Sequence, residues 1–277
     1  MKGIDVSHHQ GRIDWAKAAA DGVCFAIIRA GLGRYARQQD ACFVSNMKGA
    51  KAAGLPLGIY WYSYAVSAAE AEQEAAACLQ VIAAYQDSIT LPVFFDQEYE
   101  PGILALDSRK RTNICLTFLE KIQAAGYRAG LYCSLDWWQS RLENGRLGDY
   151  PLWIAQYAKA CSCRAENLIL WQYSGTGSVA GVSGKVDLDE GYDGLFPAKD
   201  GWTEQGGSWC YRREGKALTN QWLQDGEHWY RLGPDGKMLT GLQKIGGKVY
   251  MLNPERAQGV PKGACIITDE QGAVITP

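Results

Sequence analysis

Short apolar runs recur along the first 190 or so positions, at Gly3–Val6, Cys24–Ala30, Leu57–Tyr62, Pro92–Asp96, Arg128–Cys133, Leu152–Ala155, Leu168–Gln172 and Val186–Leu188. Runs this short, rich in β-branched and aromatic residues, predict strands. Between the early ones lie helical patterns. Residues 67–85 open with Ser67-x-x-Glu70, a capping box in which each side chain satisfies an orphan amide of the first turn. Residues 107–125 begin at Asp107 or Ser108 and stop at Gly126. Residues 40–53 end at Gly54, and Pro56 bars any continuation. Strand–helix alternation at this spacing predicts an α/β fold with a parallel sheet and helices outside it. Eight strands predict a closed (β/α)8-type barrel over residues 1–196. The later connections are too short for full helices, so its second half is expected to be irregular, with helices missing. A doubly wound open sheet is the competing arrangement.

The texture changes after Pro197. Residues 197–200 read as a linker, and residues 201–277 as a small module of β-hairpin repeats. Trp202, Gly206 and Trp209 recur as Trp222, Gly226 and Trp229, and in degraded form as Leu242, Gly246 and Val249, with Tyr250 following. A repeat of about 20 residues holds only a hairpin, which must stack on its neighbours to bury an aromatic face.

Composition narrows the function classes. The chain has 277 residues, 47% hydrophobic and 21% charged, which excludes a wholly disordered or collagen-like protein. The net charge is −2, and from residue 200 onward acidic and basic residues balance at nine each. Neither nucleic acid nor an anionic membrane is therefore an expected partner. No apolar run approaches the ~20 residues needed to span a bilayer. The N-terminal residues lack the apolar stretch of a secretory signal, so the expectation is a start in the cytoplasm or a leader removed before this numbering begins. Nine irregularly spaced cysteines argue against a disulfide framework, and Cys24 and Cys133 fall in apolar runs as expected core thiols. Cys161-x-Cys163 lacks a second ligand pair, and His8-His9 lacks a metal-binding partner motif.

The sharpest chemical signal is Leu91-Pro-Val-Phe-Phe-Asp96-Gln-Glu98, an apolar run that breaks into two carboxylates one residue apart. Alternate side chains of a strand share a face, so Asp96 and Glu98 point the same way. In a parallel barrel the C-terminal strand ends are where active sites are built. Two carboxyls forced together hold a proton between them. Glycosidic bond cleavage needs that division: a protonated acid for the leaving oxygen, and a carboxylate for the cationic transition state. Asp5 ends the first strand, and Asp187 sits on the last. First and eighth strands are neighbours in a barrel, so these acids are expected to converge as well.

In order and spacing, Asp5-Val-Ser7-x-x-Gln10, Phe95-Asp96-x-Glu98 and Gly184-x-Val-Asp187-Leu resemble the three motifs of family 25 glycoside hydrolases. Gly58-Ile-Tyr60-Trp-Tyr62, Leu152-Trp153-Ile-Ala155-x-Tyr157 and Trp171-Gln172-Tyr173 extend the likeness across residues 1–196. The resemblance implies an N-acetylmuramidase (lysozyme) on an irregular eight-stranded barrel, needing no cofactor and no metal. By position it makes Glu98 the general acid/base. Asp96 becomes a nucleophile, or the group that orients the substrate acetamide, and Asp5 and Asp187 complete the acidic site. Tyr60, Tyr62, Trp153 and Tyr173 are candidates to stack on sugar rings, with core packing as the alternative for each. Trp61 stands where family members often carry His, which puts local substrate contacts in question.

The C-terminal pattern resembles choline-binding, or cell-wall-binding, repeats, whose aromatics box a quaternary ammonium. Trp209, Tyr211 and Trp222 are expected to form one box, with Trp229 in the second copy. A further box would need aromatics where Leu242 and Arg231 stand, and Arg231 would repel a cation. Bacterial peptidoglycan is thus the expected partner, with choline or another wall carbohydrate at the repeats. The rival expectation is a non-catalytic glycan-binding wall protein. A chitin-cutting relative is a second.

Overall fold

Strands β1 (Lys2–Val6), β2 (Phe25–Leu32), β3 (Leu57–Tyr62), β4 (Ile89–Asp96), β5 (Ala129–Ser134), β6 (Leu152–Ala155), β7 (Leu168–Gly177) and β8 (Val186–Gly191) close in sequence order into a barrel. The coordinates are a computed structural model describing residues 1–196, 200–205, 207–213, 216–255, 260–268 and 274–275. They fall into two units, Met1–Phe196 and Pro197–Pro277.

Five helices accompany the barrel: α1 (Trp15–Ala20), α2 (Phe43–Ala52), α3 (Ala68–Ile82), α4 (Pro101–Leu104) and α5 (Ser108–Ala124). The last full-length helix, α5, lies between β4 and β5, as the short later connections imply. Helix α5 is capped by Asp107, whose side chain accepts the Lys110 amide at 2.8 Å. The Ser67 hydroxyl caps α3, but Glu70 reaches back one residue further than a capping box requires and accepts the Val66 amide at 2.9 Å.

Strands β2 to β6 split their side chains between two apolar clusters with period two. Ile4, Val6, Ala26, Ile28, Ile59, Trp61, Val93, Phe95, Leu131 and Ile154 join the layer under the helices. Phe25, Ile27, Tyr60, Phe94, Tyr132, Trp153 and Leu170 fill the barrel interior. The parity of a residue therefore decides whether it faces helices or the barrel axis. Trp61 falls on the helix side, fully buried, with its indole N–H donating to the Gly33 carbonyl at 3.0 Å. It makes no part of the pocket, which removes the expectation that this position alters substrate contacts. Cys133 is a core thiol as expected, whereas Cys24 precedes β2 and is exposed.

The barrel departs from an all-parallel one at its last strand. Strands β1 to β7 pair in parallel, but β8 runs antiparallel to both β7 and β1. The reason is the connection: residues 178–185 cannot make the parallel crossover, which takes roughly a dozen residues or more. Asp187 therefore enters the site from the start of its strand, not the end. Its register partner is Asp5, near the end of β1.

In the second unit each repeat is a hairpin. β9 (Gly201–Gln205) pairs with β10 (Ser208–Arg213), which also carries β11 (Lys216–Ala217). β12 (Trp222–Asp225) pairs with β13 (His228–Arg231). β14 (Gly241–Ile245) and β15 (Lys248–Leu252) continue through β16 (Cys265–Thr268) to β17 (Val274–Ile275). Gly226 and Gly246 take positive φ at the hairpin tips, which explains why glycine recurs there. Gly206, the corresponding glycine of the first copy, lies outside the described residues.

Candidate active site

Polar residues take over the barrel interior where the strands reach the rim. Directly above Phe94 on β4 comes Asp96, and two residues on, past the strand end, Glu98. Gln97 between them turns outward and is fully buried, its side-chain oxygen accepting the Trp137 indole N–H at 3.0 Å. That anchor fixes the exit from β4 and keeps Glu98 on the same side as Asp96. Asp5, Asp96, Glu98 and Asp187 all line one cavity of about 170 Å³, together with Arg29, Tyr60, Tyr62, Tyr132, Trp153, Tyr157 and Gln172. A second cleft of about 240 Å³ shares Glu98, Tyr132 and Tyr157 and adds Tyr99, Ser134 and Ala155.

Hydrogen bonds hold the floor rigid. The Gln172 amide N–H donates to Asp5 Oδ2 at 2.8 Å, while its oxygen accepts the Tyr132 hydroxyl at 2.9 Å and the Tyr157 hydroxyl at 3.1 Å. Beneath them Asp189, fully buried, accepts the Trp153 indole N–H at 2.9 Å. Arg29 is the cation of the pocket lining, held by Asp40 through its Nε at 2.8 Å, with His8 Nδ1 on the same carboxylate at 2.9 Å.

Crowding acids in a buried space raises their proton affinities. Burial pushes Asp96 well above the usual carboxylate range, reinforced by Glu98. Burial also raises Glu98, with Glu100 and Asp187 adding to the effect. Asp5 rises through burial and then through the charges of Asp189 and Asp187. Burial raises Asp187 and pushes Asp189 up to about 8. Near neutrality the cluster thus retains protons, and Asp96 and Glu98 each shift the other's proton affinity, raising Asp96 and lowering Glu98. Such a site offers an acid and a carboxylate side by side.

A family model described as glycosyl hydrolases family 25 matches residues 4–182. The chain belongs to that family. It is 29% identical over 199 residues to Lysozyme M1 of Streptomyces globisporus, covering 69% of this chain and 67% of that one. It is 29% identical to the autolytic lysozyme of Clostridium acetobutylicum, covering 71% of this chain and 57% of the relative. Among solved structures, the modular autolysin LytC of Streptococcus pneumoniae superposes with a TM-score of 0.61 at 27% identity, over 68% of this chain and 46% of LytC. The chain thus spans about two thirds or less of the length of these relatives. A second model, described as a putative cell wall binding repeat, matches residues 220–238.

Within this family 25 barrel, the expected sugar-stacking residues part company. Tyr60 and Tyr62 line the cavity, Tyr62 donating its hydroxyl to Glu100 Oε1 at 2.7 Å. Trp153 lines it too, but as buried floor, packed against Tyr132 and Phe94 at ring-centroid distances of 4.4 and 5.2 Å. Tyr173 does not line it. Next to Gln172 on β7, it takes the opposite face and packs against Trp171 at 5.5 Å. Sequence reasoning missed Arg29, Tyr132, Gln172 and Asp189. Asp187-Leu-Asp189 repeats the acid-x-acid spacing of Asp96-Gln-Glu98, and that was the available signal.

The expected aromatic box of the second unit is not assembled from Trp209, Tyr211 and Trp222. Tyr211 packs edge-on against Trp202 at 5.2 Å, and Trp222 against Tyr250 at 5.0 Å, so Tyr211 and Trp222 take part in separate ring contacts. Register explains the split: Trp202 faces Tyr211 across its hairpin, and Trp222 faces Arg231 in the equivalent place. A groove of about 680 Å³ opens instead between the second and third copies, lined by Trp222, Trp229, Leu242, Val249, Tyr250 and Met251 among others. Trp209 and Trp229 are both partly exposed. The Arg231 guanidinium stands 5.9 Å from the Trp222 ring centre and donates to Asn220 Oδ1 at 2.7 Å.

Proposed function

We propose that this chain is a peptidoglycan hydrolase of muramidase type, cutting the β-1,4 bond between N-acetylmuramic acid and N-acetylglucosamine. The observation that carries this is the convergence of Asp5, Asp96, Glu98 and Asp187 in one cavity. In this mechanism Glu98, only partly buried, protonates the leaving glycosidic oxygen and later takes a proton from water. Asp96, deeper and almost fully buried, holds the shared proton more tightly at rest and becomes the carboxylate beside the sugar carbon once that proton sits on Glu98, as positive charge develops. The charge left on the partly protonated group of Asp5, Asp187 and Asp189 keeps the local field negative, which favours both the held proton and the cationic transition state. Arg29 limits that field, its charge opposing the rise at Asp96.

The second unit is proposed to hold the enzyme on the bacterial wall, raising its effective concentration at an insoluble polymer. Arg231 already covers Trp222, so we assign the groove to an uncharged wall carbohydrate in preference to choline. Incubating purified wall with the wild type and with Glu98→Gln, and measuring new reducing ends, tests the catalytic part. Release by the wild type and a loss of at least about a hundredfold in the variant is expected for removal of a general acid. Equal release from both removes Glu98 from that role. Wall binding with no release from either identifies a glycan-binding protein instead.

A further inference from the structure

Glu74 lies on α3, outside the barrel interior and away from the pocket lining, yet it is a fully buried carboxyl. Burial of a carboxyl is costly: the nearby Arg34 guanidinium is paired with Glu70 at 2.8 Å, and among the described residues Glu74 Oε2 has no hydrogen-bond partner. Its Oε1 accepts the backbone amide of Tyr64 at 2.9 Å, and the Ser63 side chain lies near enough to the carboxyl to favour its charged form. Both residues belong to the turn that follows β3. That turn is pinned at three further points. The Ser63 amide donates to the Asp96 carbonyl at 3.0 Å, the Ala65 amide donates to Ser63 Oγ at 3.1 Å, and the Val66 amide donates to Glu70 Oε2 at 2.9 Å.

The turn leaves β3 at Tyr62, a cavity-lining ring, and carries Tyr64 next to it. Tyr62 lines the cavity beside Glu98 and is tied to Glu100, and the partly exposed Tyr64 packs on it with ring centres 5.2 Å apart. The turn's own backbone also meets β4 at Asp96. A shift of the turn therefore moves the aromatic rim relative to the acids.

We propose that Glu74 is a positioning residue for glycan binding: from behind the turn its carboxyl fixes residues 63–66, and through them the Tyr62–Tyr64 pair, against the acidic end of β4. The inference rests on the muramidase assignment for its substrate but not for its geometry. The role belongs to the acceptor oxygen, so a side chain that keeps that oxygen preserves it.

The test uses the full chain with Glu74→Gln and Glu74→Leu, reading kcat and KM on soluble wall glycan and amide hydrogen exchange across residues 63–66. Glu74→Gln is expected to hold KM within about twofold. Glu74→Leu is expected to raise KM about tenfold with a smaller change in kcat, and to speed exchange at Tyr64. Should Glu74→Leu fail to fold, Ser63→Ala provides the milder perturbation and is expected to raise KM in the same direction. A folded Glu74→Leu with wild-type KM overturns the proposal, and so does a Gln variant as impaired as Leu. If the wild type itself cleaves no glycan, the muramidase assignment fails separately, and the exchange rates alone decide whether Glu74 fixes the turn.

Discussion

Replacing Asp189 by Asn should make the barrel more stable, and more so at higher pH. Asp189 is fully buried beneath Asp5, and burial pushes it from 3.8 up to about 8. For an acid raised on folding, the folded state holds the proton more tightly than the unfolded chain. Its stability contribution is therefore intact below the unfolded value and is lost as pH climbs towards the folded one. At about 1.4 kcal/mol per unit, the carboxyl costs roughly 2 kcal/mol at pH 5 and roughly 5 kcal/mol at pH 7.5. Asp5 shares the proton of this pair, so about half of the difference is expected. Asparagine retains an oxygen for the Trp153 indole N–H and carries no charge to desolvate. Urea unfolding followed by near-ultraviolet circular dichroism should then show Asp189→Asn gaining about 1–3 kcal/mol more at pH 7.5 than at pH 5. A variant no more stable than the wild type at pH 7.5, or one with the same gain at both values, would refute the reasoning.

Three further outcomes follow from the same structure. Trp61→Phe loses the bond to the Gly33 carbonyl and leaves a void under the helices. It should cost about 2–3 kcal/mol in unfolding measurements while KM on wall glycan stays at the wild-type value. Gly3→Ala places a methyl about 2.1 Å from the Phe25 ring at the barrel base. A loss of roughly 1–3 kcal/mol by urea titration is expected, with a folded, unaltered site above it. Arg231→Ala uncovers a face of Trp222, so choline should quench tryptophan fluorescence of the variant more strongly than of the wild type. Equal quenching would mean that the guanidinium does not compete for that ring.

The barrel was legible because its strands are buried on both faces and read as unbroken apolar runs. The direction of β8 was not, since the alternation Val186, Asp187, Leu188, Asp189 reads the same either way along the strand. Only the shortness of residues 178–185 carried that information. Asp96 and Glu98 stood out because charge interrupts an apolar run at its end. Arg29 and Gln172 sit within such runs, where parity matters and the pocket side must already be known. Tyr173 shows the cost of a single step: one residue from Gln172, it points away from everything Gln172 touches. In the repeats, the pattern of tryptophans was visible, but which hairpins meet depended on cross-strand partners, and Arg231 and Met251 stand where the first copy has Tyr211.

Because β8 descends instead of rising, the barrel returns to where it began. The Met1 amino group donates to the Gly191 carbonyl at 3.0 Å, and the Gly191 amide donates to the Met1 carbonyl at 2.8 Å. The two ends of the barrel are thus stitched together at the base, opposite the acids. A short peptide could join them and the chain be reopened at an exposed turn such as Ser183–Gly184, giving a circularly permuted barrel with its carboxyl cluster undisturbed.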